Sequence, residues 1–417
     1  MAKSSLVATD PESLPPNGRY SGQNSASMRR HNRAVVLQAV LHYGPISRTH
    51  LVQLTGRQPA TISSIVGELL EERILEEVGR RDSRGSGRRQ IDLDFAPGGI
   101  YAVGVHLGIE EIAVGIVSPR GEICHEETFW RPLDLDPTAT LVLIADSIRQ
   151  LCTGAGIAME RVVGVGVGIT GLVDPVAGRV AQSERLGWRD EPVVAPLEAL
   201  LDLPVHVGNN VQAMALAESW FGSQQDADDL VLMNVGTVLG LGVVIGGRVW
   251  AGAAWGAGQI GQGRFITAAG EDVVAVASQR AIRDAYRRLE GTRESPAVGG
   301  TAVVDPIEVL VDRALAGDRS CIDLLTHAGD ALGVVVANVV NLLNPPLMLL
   351  AGRVVRAGDL LLGPIRERAK ATAISGMVEQ TRIEPATLGF SGRIVGPAAL
   401  ALVERFYAPG QLRSVYH

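Results

Sequence analysis

The sequence predicts an α/β protein built from an N-terminal winged helix-turn-helix and a larger body of two lobes. Three helical patterns and an arginine-rich hairpin occupy residues 28–95. Two groups of strands, each with a glycine-rich turn and each followed by helices, occupy residues 98–417. A chain of 417 residues is also long enough for two or three compact units. Residues 1–27 are polar, which predicts a disordered tail.

The segment after the tail has the pattern of three helices. MRRHNRAVVLQAVLHYG places apolar residues at helical spacing and ends at Gly44, a residue typical of a helix end. PISRTHLVQLTG predicts a second helix that Ser47 caps and Gly56 ends. RQPATISSIVGELLEERILEEVG predicts a third helix with Pro59 in its first turn, where a missing N–H matters least. A tight turn between the second and third helices is typical of helix-turn-helix proteins, whose third helix enters the major groove.

An arginine-rich hairpin follows the third helix. EEVGRRDSRGSGRRQIDLDF predicts one strand that ends near Val78 and a second over residues 91–95, which makes a winged helix. The hairpin tip carries five arginines: Arg80, Arg81, Arg84, Arg88 and Arg89. Such a wing neutralises phosphates or places arginine in the minor groove, with little reading of sequence. The alternative is a solvated, flexible hairpin.

The predicted DNA contacts lie on the third helix, the turn before it and the wing. Besides the wing arginines they are Arg57, Gln58, Thr61, Ser63 and Ser64. Short hydroxyl side chains form few bidentate base contacts, so specificity is expected to depend on Arg57, Gln58 and the wing. Residues 28–95 hold eleven Arg against eight acidic residues, a net charge of about +3. The body has a net charge of about −10, which makes the whole chain −7. The head alone is therefore expected to contact a polyanion.

The body has two groups of antiparallel strands. Residues 100–107, 111–118 and 121–130 form the first group, and DLVLMNVGTVLGLGVVIGGRVWAG predicts the second. Between them lie a helix at 137–155, the strands VVGVGVGITG and VHVGN, and a helix at 211–222. Two such halves, each of strands and helices, predict a duplicated α/β fold with a cleft between its lobes.

The order of these elements resembles the ROK family (repressor, open reading frame, kinase), whose fold is actin-like, a duplicated RNase H-like unit. The phrases that carry the resemblance are GRRQIDLDFAPGGIYAVGV, GVGVGITGLVD, RLGWRD, VHVGNNVQAMALAE, VGTVLGLGVVIGGRVWAGAAWGAGQIG, NPPLMLLAGRVV and IVGPAALAL. The resemblance covers nearly the whole chain after the tail. It implies a smaller lobe of about 98–215 plus the C-terminal helix and a larger lobe of about 216–392.

The chain departs from the family's kinases at the catalytic base and the zinc motif. Those kinases have Asn-Asp where this chain has Asn209-Asn210, and the Asp takes a proton from the sugar hydroxyl. An amide cannot do so at neutral pH, which forfeits a factor of about 10²–10⁴ in rate. The family's GEIGH motif and CxCGxxGCxE zinc loop correspond here to GQIGQGRFITAAGEDVV, with Gln259 and Gln262 in place of Glu and His and no cysteine. The resemblance therefore implies neither catalysis nor zinc.

The nucleotide motifs differ as well. His106 stands in place of the Asp of the first phosphate motif, and Ile109 and Glu110 replace its Gly-Thr. Val238 replaces a glycine of the second phosphate motif, and Arg353 replaces a glycine of the adenosine motif. A carboxylate at the phosphate position would repel a triphosphate. The resemblance therefore implies that ATP is not bound.

We therefore predict a sequence-specific DNA-binding regulator, a repressor without catalytic residues, metal or cofactor, that forms a homodimer or homotetramer on an operator. A sugar-like effector is expected at Gly171, Trp188, Asn209, Asn210, Gln259 and Gln262. An alternative for the amides is that they satisfy backbone groups at strand ends. Two alternatives for the protein are a sugar kinase with a displaced base, Asp174 or Asp190, and a DNA-binding oligomer that senses no ligand.

The composition predicts a cytoplasmic protein that does not bind membranes. No apolar run reaches the roughly 18 residues that a spanning helix needs, and residues 1–27 lack the apolar core of a signal peptide. Cys124, Cys152 and Cys321 are isolated and form neither a CxxC pair nor an even set, which suits a reducing compartment.

Overall fold

The computed structural model describes residues 25–81, 90–132, 135–223, 227–291 and 305–409. Three of the wing arginines, Arg84, Arg88 and Arg89, lie outside the described residues, as does the predicted tail up to residue 24. Arg80 and Arg81 are described only as the backbone end of a strand.

The head has three helices and a small sheet. Its helices are α1 (Ser25–Tyr43), α2 (Arg48–Thr55) and α3 (Pro59–Glu71), and its strands are β1 (Ile46–Ser47), β2 (Leu75–Arg81) and β3 (Gln90–Phe95). The strands pair in the order β1-β3-β2. Ser47 caps α2 by accepting the His50 N–H at 3.3 Å, and Gly56 ends that helix with φ of 64°. The predicted winged helix-turn-helix is thus present.

The first lobe contains a five-stranded sheet. Its strands are β4 (Tyr101–Leu107), β5 (Glu111–Val117), β6 (Ile123–Trp130), β7 (Val162–Ile169) and β11 (Val205–Asn209). Between β7 and β11 the chain forms a small three-stranded sheet of β8 (Leu172–Asp174), β9 (Arg179–Ser183) and β10 (Trp188–Pro192). The helices of this lobe are α4 (Pro137–Gly154) and α5 (Val194–Leu201), and α6 (Asn210–Phe221) leads from β11 to the second lobe. The strand order is β11-β7-β4-β5-β6.

The second lobe repeats this plan. Its strands are β12 (Leu230–Val235), β13 (Leu239–Ile245), β14 (Arg248–Val249), β15 (Leu347–Ala351) and β16 (Arg382–Pro385), in the order β14-β13-β12-β15-β16. Its helices are α7 (Val273–Ala277), α8 (Gln279–Glu290), α9 (Pro306–Leu315), α10 (Arg319–Leu343), α11 (Asp359–Thr372) and α12 (Ser375–Val378). In both sheets three antiparallel strands precede two parallel ones. The predicted duplication is confirmed.

The C-terminal helix α13 (Gly392–Leu402) returns to the first lobe and lies against its sheet. Glycines on two strands permit this contact. A Cβ at Gly104 would overlap the carbonyl oxygen of Ile394, and a Cβ at Gly166 would overlap that of Pro397. The helix backbone therefore lies directly on the strand backbone, which explains the alternating glycines of the strands.

The head shares one hydrophobic core with the first lobe. Leu37 and Val40 of α1 belong to the same buried cluster as Phe406 and Tyr407, which follow α13. The Gln38 side chain donates to the carbonyl oxygen of Tyr407 at 2.7 Å. Arg120, in the turn between β5 and β6, donates to the Leu41 carbonyl oxygen at 3.1 Å and pairs with Asp94. The head is thus packed onto the body rather than joined to it by a free linker.

Among the described residues, α10 is the one helix with the length and composition to cross a membrane. It is the central helix of the second lobe, and side chains such as Leu332, Val336 and Val340 are fully buried in that core. Core helices of water-soluble proteins often pass the same test, so the helix is weak evidence for a membrane span.

Gly166→Ala is expected to destabilise the protein by about 1–3 kcal/mol, because the added methyl group must push the α13 backbone off the sheet. Urea unfolding of the full-length protein measures the change. Gly154→Ala is the matched control, since Gly154 ends α4 in open space and alanine there is expected to be neutral or slightly stabilising. Equal stability of Gly166→Ala and wild type would contradict the close contact.

Candidate functional site

The third helix of the head presents a polar surface at its N-terminal end. Ile62, Ile65, Val66 and Leu69 are buried in the head core. The residues predicted to contact DNA remain accessible: Gln58, Ser63 and Ser64 are exposed, and Arg57 and Thr61 are half-buried. The structure therefore brings these five residues together at one end of α3. Ser64 also donates to Glu68 at 3.2 Å, which orients its hydroxyl along the helix.

A cleft of about 180 Å³ lies between the two lobes of the body. The strand ends β4, β7 and β11 border it on the first lobe, and β12, β13 and the loop before α7 border it on the second. Five of the six predicted ligand residues line it: Gly171, Asn209, Asn210, Gln259 and Gln262.

The four amides predicted to bind a ligand divide into two pairs with different roles. Asn209 is 4% exposed and caps α6, because its Oδ1 accepts the N–H groups of Val211 at 2.9 Å and Gln212 at 3.2 Å. Its Nδ2 donates to the Gly171 carbonyl oxygen at 2.9 Å, and Gln259 Nε2 donates to the same oxygen at 3.3 Å. Asn209 and Gln259 therefore fix the walls of the cleft.

Asn210 and Gln262 form the second pair. Both side chains line the cleft, and neither makes a hydrogen bond to any other residue that the structure describes. Each amide keeps one acceptor oxygen and a two-donor nitrogen for a partner from solution. Of the four predicted amides, these two have free hydrogen-bonding capacity for a ligand.

Gln212 is a structural residue that the sequence analysis missed. It is 2% exposed on α6, and its Nε2 donates to the carbonyl oxygens of Trp255 at 3.4 Å and Ala257 at 3.2 Å. These bonds tie α6 to the loop that carries Gln259. The available signal was a glutamine within an otherwise apolar helix pattern, because a buried amide needs partners.

Trp188 does not line the cleft, so its predicted place in the ligand site is wrong. It is 3% exposed and packs in the first-lobe core with Val173 and Val180, since the strand that it begins turns that face inward. The tryptophan at the cleft is Trp130, the last residue of β6, which is 60% exposed. Glu184 and Arg185 also line the cleft.

The carboxylates considered as a displaced base lie elsewhere. Asp174 Oδ1 accepts the N–H groups of Val176 and Ala177 at 3.0 and 2.9 Å, which closes a turn. Asp190 pairs with Arg179 at 2.9 Å on the exposed side of β9 and β10. Neither lines the cleft. Their positions therefore give the kinase alternative no base.

Charged side chains line the part of the cleft that contains the altered nucleotide motifs. Glu110 and Glu111 lie on the first lobe and Arg283, Asp305 and Arg353 on the second. His106 faces this region, and burial, reinforced by Arg393, lowers the pKa of its imidazole to about 3. The imidazole is therefore neutral near pH 7 and supplies no positive charge for phosphate. In the described ranges no group of three His, Cys, Asp or Glu residues could hold a metal ion.

Comparisons with known proteins agree with this architecture. The xylose repressor of Caldicellulosiruptor bescii is 27% identical over 397 residues, which are 93% of this chain and 99% of that protein. The DNA-binding transcriptional dual regulator NagC of Escherichia coli K12 is 25% identical over 409 residues, 96% of this chain and 98% of NagC.

Solved structures of two kinds, a transcriptional regulator and a kinase, match different shares of the chain. A ROK family transcriptional regulator, a homologue of the E. coli MLC protein, superposes with a TM-score of 0.71 at 25% identity and covers 93% of this chain and 99% of its own. A ROK family glucokinase from Streptomyces griseus, solved with glucose and AMPPNP, has a TM-score of 0.59 at 29% identity and covers 72% of this chain and 98% of its own. The family model described as ROK family matches residues 102–404. The chain belongs to the ROK family.

Proposed function

We propose that this protein is a sequence-specific transcriptional repressor of the cytoplasm, that its cleft binds a neutral sugar-like effector, and that it has no kinase activity. The observation that carries the proposal is the winged helix-turn-helix packed onto a ROK body. Relatives named as repressors or transcriptional regulators align over both parts, whereas the glucokinase covers 72% of the chain.

DNA binding is assigned to the N-terminal end of α3 and to the wing. The exposed Gln58, Ser63 and Ser64 are polar and uncharged, which suits contacts to base edges and phosphates in the major groove. The positive charge of the head comes largely from the wing arginines, whose phosphate contacts supply affinity without reading sequence. A homodimer or homotetramer would place two such heads on half-sites about one helical turn apart.

The effector site is assigned to Asn210 and Gln262. Amides both donate and accept, as sugar hydroxyls do, so the pair suits an uncharged polyol. Relatives are named for xylose and for N-acetylglucosamine, both of which are neutral sugars. An amide at position 210 cannot accept the hydroxyl proton, so the same geometry that binds a sugar does not activate it.

Helix α6 connects the cleft with the head. Its first residue, Asn210, lies in the cleft, and its twelve residues span about 18 Å. Near its other end, the Trp220 ring stacks on Tyr407 with ring centres 5.5 Å apart and on His42 of α1 at 6.5 Å. A ligand that displaces α6 therefore changes the contacts that hold the head in position. It can shift DNA affinity only as far as its own affinity differs between the displaced and the undisplaced position of α6.

Arg84→Ala with Arg88→Ala is expected to weaken binding to all DNA and to lower the salt dependence by about one phosphate contact per arginine. Selection of genomic fragments by the full-length protein, followed by salt titration on a selected fragment, measures both effects. Gln58→Ala is expected to relax the selected sequence while leaving the salt slope unchanged. Arg319→Ala, an exposed arginine of the body, is the control. A double variant with the wild-type salt slope would rule out the wing as the phosphate-binding element.

Asn210→Ala and Gln262→Ala are each expected to weaken effector binding about tenfold, because each loses a hydrogen bond of about 1 kcal/mol and leaves a ligand hydroxyl unpaired. Calorimetry with D-xylose, N-acetylglucosamine and D-glucose measures this. Gln380→Ala removes an exposed amide that does not line the cleft and serves as the control. ATP-dependent phosphorylation of any of these sugars by the wild type would overturn the non-enzymatic assignment. Failure of all three sugars to bind would instead favour a DNA-binding protein without an effector.

Trp220→Leu is expected to uncouple the two sites. Leucine keeps an apolar side chain but removes the stack between His42 and Tyr407, so sugar and DNA affinities are each expected to stay within a few-fold of wild type. The ratio of DNA affinities with and without sugar is expected to approach one. Trp250→Leu, at a half-exposed tryptophan of the second lobe, is the matched control. A wild-type ratio in Trp220→Leu would show that coupling does not pass through this stack.

A further inference from the structure

Two glutamates of the first lobe reach across the cleft to arginines of the second. Glu110 Oε2 lies 3.2 Å from Arg283 Nη1 of α8, and Glu111 Oε2 lies 4.0 Å from Arg353 Nη2, beyond β15. The other oxygen of Glu111 lies 3.5 Å from Arg393 Nη1. Arg393 is anchored to the first sheet, because its Nη2 donates to Thr128 of β6 at 2.9 Å. The ion pairs therefore join the lobes.

Carboxylates of the second lobe hold its two arginines in place. Asp305 Oδ2 lies 3.3 Å from Arg353 Nε and 3.6 Å from Arg283 Nη2, so one carboxylate orients both guanidinium groups. Glu308 binds Arg353 Nη1 at 2.5 Å. Because these side chains are already ordered within their own lobe, pairing with Glu110 and Glu111 restricts them little further.

An aromatic ring adds a second connection. The guanidinium carbon of Arg353 lies 3.7 Å from the centre of the Phe390 ring, and that of Arg393 lies 4.3 Å from the same centre. Phe390 lies two residues before α13, the helix that packs on the first sheet. One ring therefore contacts a cation from each side of the cleft, and both contacts are attractive.

The three arginines of the cluster are largely shielded from water. The side chains of Arg393, Arg283 and Arg353 are 9%, 15% and 19% exposed. Ion pairs at such positions are less screened than fully exposed ones, which contribute little. The Nε atoms of Arg283 and Arg393 have no hydrogen-bond partner in the part of the chain that the structure describes, so these cations depend on the nearby carboxylates.

The cluster has no excess positive charge with which to bind an anion. Three arginines, Arg283, Arg353 and Arg393, face four carboxylates, Glu110, Glu111, Asp305 and Glu308. A triphosphate would have to displace carboxylates already paired to the arginines, and it would be repelled by those that remain.

We infer that this cluster is a latch between the lobes, which holds the cleft together without a nucleotide and keeps nucleotides out. The cleft is thereby reduced to one ligand position, next to Asn210 and Gln262. The latch depends only on residues of the body. The inference of a latch holds even if the head binds no DNA or the cleft binds no sugar. DNA selection and sugar calorimetry test those two functions, whereas distances between the lobes test the latch.

The distance between the lobes tests the latch. Spin labels are attached in the full-length protein to Val142→Cys on α4 and Leu315→Cys on α9, both exposed, in a Cys124→Ser background that keeps only the buried Cys152 and Cys321. Glu110→Gln with Glu111→Gln removes the negative charges at nearly constant size. The expected result is a shift to longer or broader inter-label distances. Asp330→Asn, which breaks the 2.7 Å pair with Arg368 inside the second lobe, is expected to leave the distances unchanged.

Salt provides a second test that needs no glutamate variant. Raising ionic strength from about 0.1 to 1 M shortens the screening length from about 10 to 3 Å. The wild-type distances are then expected to change in the same direction as in the double variant, which should itself respond little to salt. Identical distances in wild type and double variant, or an equal salt response in both, would overturn the latch. Saturable binding of magnesium AMPPNP to the wild type would overturn the exclusion of nucleotides.

Discussion

The close contact between α13 and the first sheet is the constraint on which the remaining architecture depends. Gly104 and Gly166 let the helix backbone lie on the strands, and Gly396 on the helix lets α6 approach, since a Cβ there would be 2.8 Å from the Met214 nitrogen. Helices that pack through backbone atoms have little freedom to slide, because any side chain inserted between them must displace main chain. Helix α13, which packs on the first sheet, and helix α6, which leads from the first lobe to the second, are therefore held as one unit.

The head extends this unit. Beyond α13 the chain continues as a π-helical turn, Val403–Tyr407, and Tyr407 contacts three segments at once. Its hydroxyl donates to the Pro119 carbonyl oxygen, its ring stacks on Trp220, and its carbonyl oxygen accepts from Gln38 of the head. Full burial raises the pKa of the phenol, so the hydroxyl stays protonated and the bond to Pro119 is kept. Shape and hydrogen bonding at this residue, rather than a flexible linker, position the head.

Local sequence patterns predicted the helices of the head, most strands of the two large sheets and the duplication, whereas the small sheet of β8, β9 and β10 was not predicted. The signals for helix ends are local: Ser47 and Gly56 cap α2, and Pro59 occupies the first position of α3. Patterns of this kind do not identify side-chain partners that are distant in sequence. Glu110 and Arg283 are 173 residues apart, and their pairing follows from the meeting of the lobes. The burial of Trp188 depends in the same way on which face of a short strand packs inward.

The amides show the same division between local and distant information. The sequence places Asn209 and Asn210 side by side in the expected effector site. The structure separates them: Asn209 is the N-cap, and Asn210 begins the helix and faces the cleft. A cap residue and the next residue point in different directions from the helix axis, so adjacent residues of one type acquire different surroundings.

The two halves of the cleft differ in how they treat charge. Near Glu110 and Arg353 each charged side chain already has a partner of opposite sign in the protein, whereas near Asn210 the lining amides are neutral. A neutral ligand next to these amides need not displace an ion pair or leave a buried charge unpaired. Its recognition then depends on whether its hydroxyls match the free donors and acceptors. Sites of this kind discriminate strongly against an analogue that lacks one hydroxyl, because the protein group opposite is left unsatisfied. Neutral amides at this position thus offer hydrogen bonds to a ligand without placing a charge beside it.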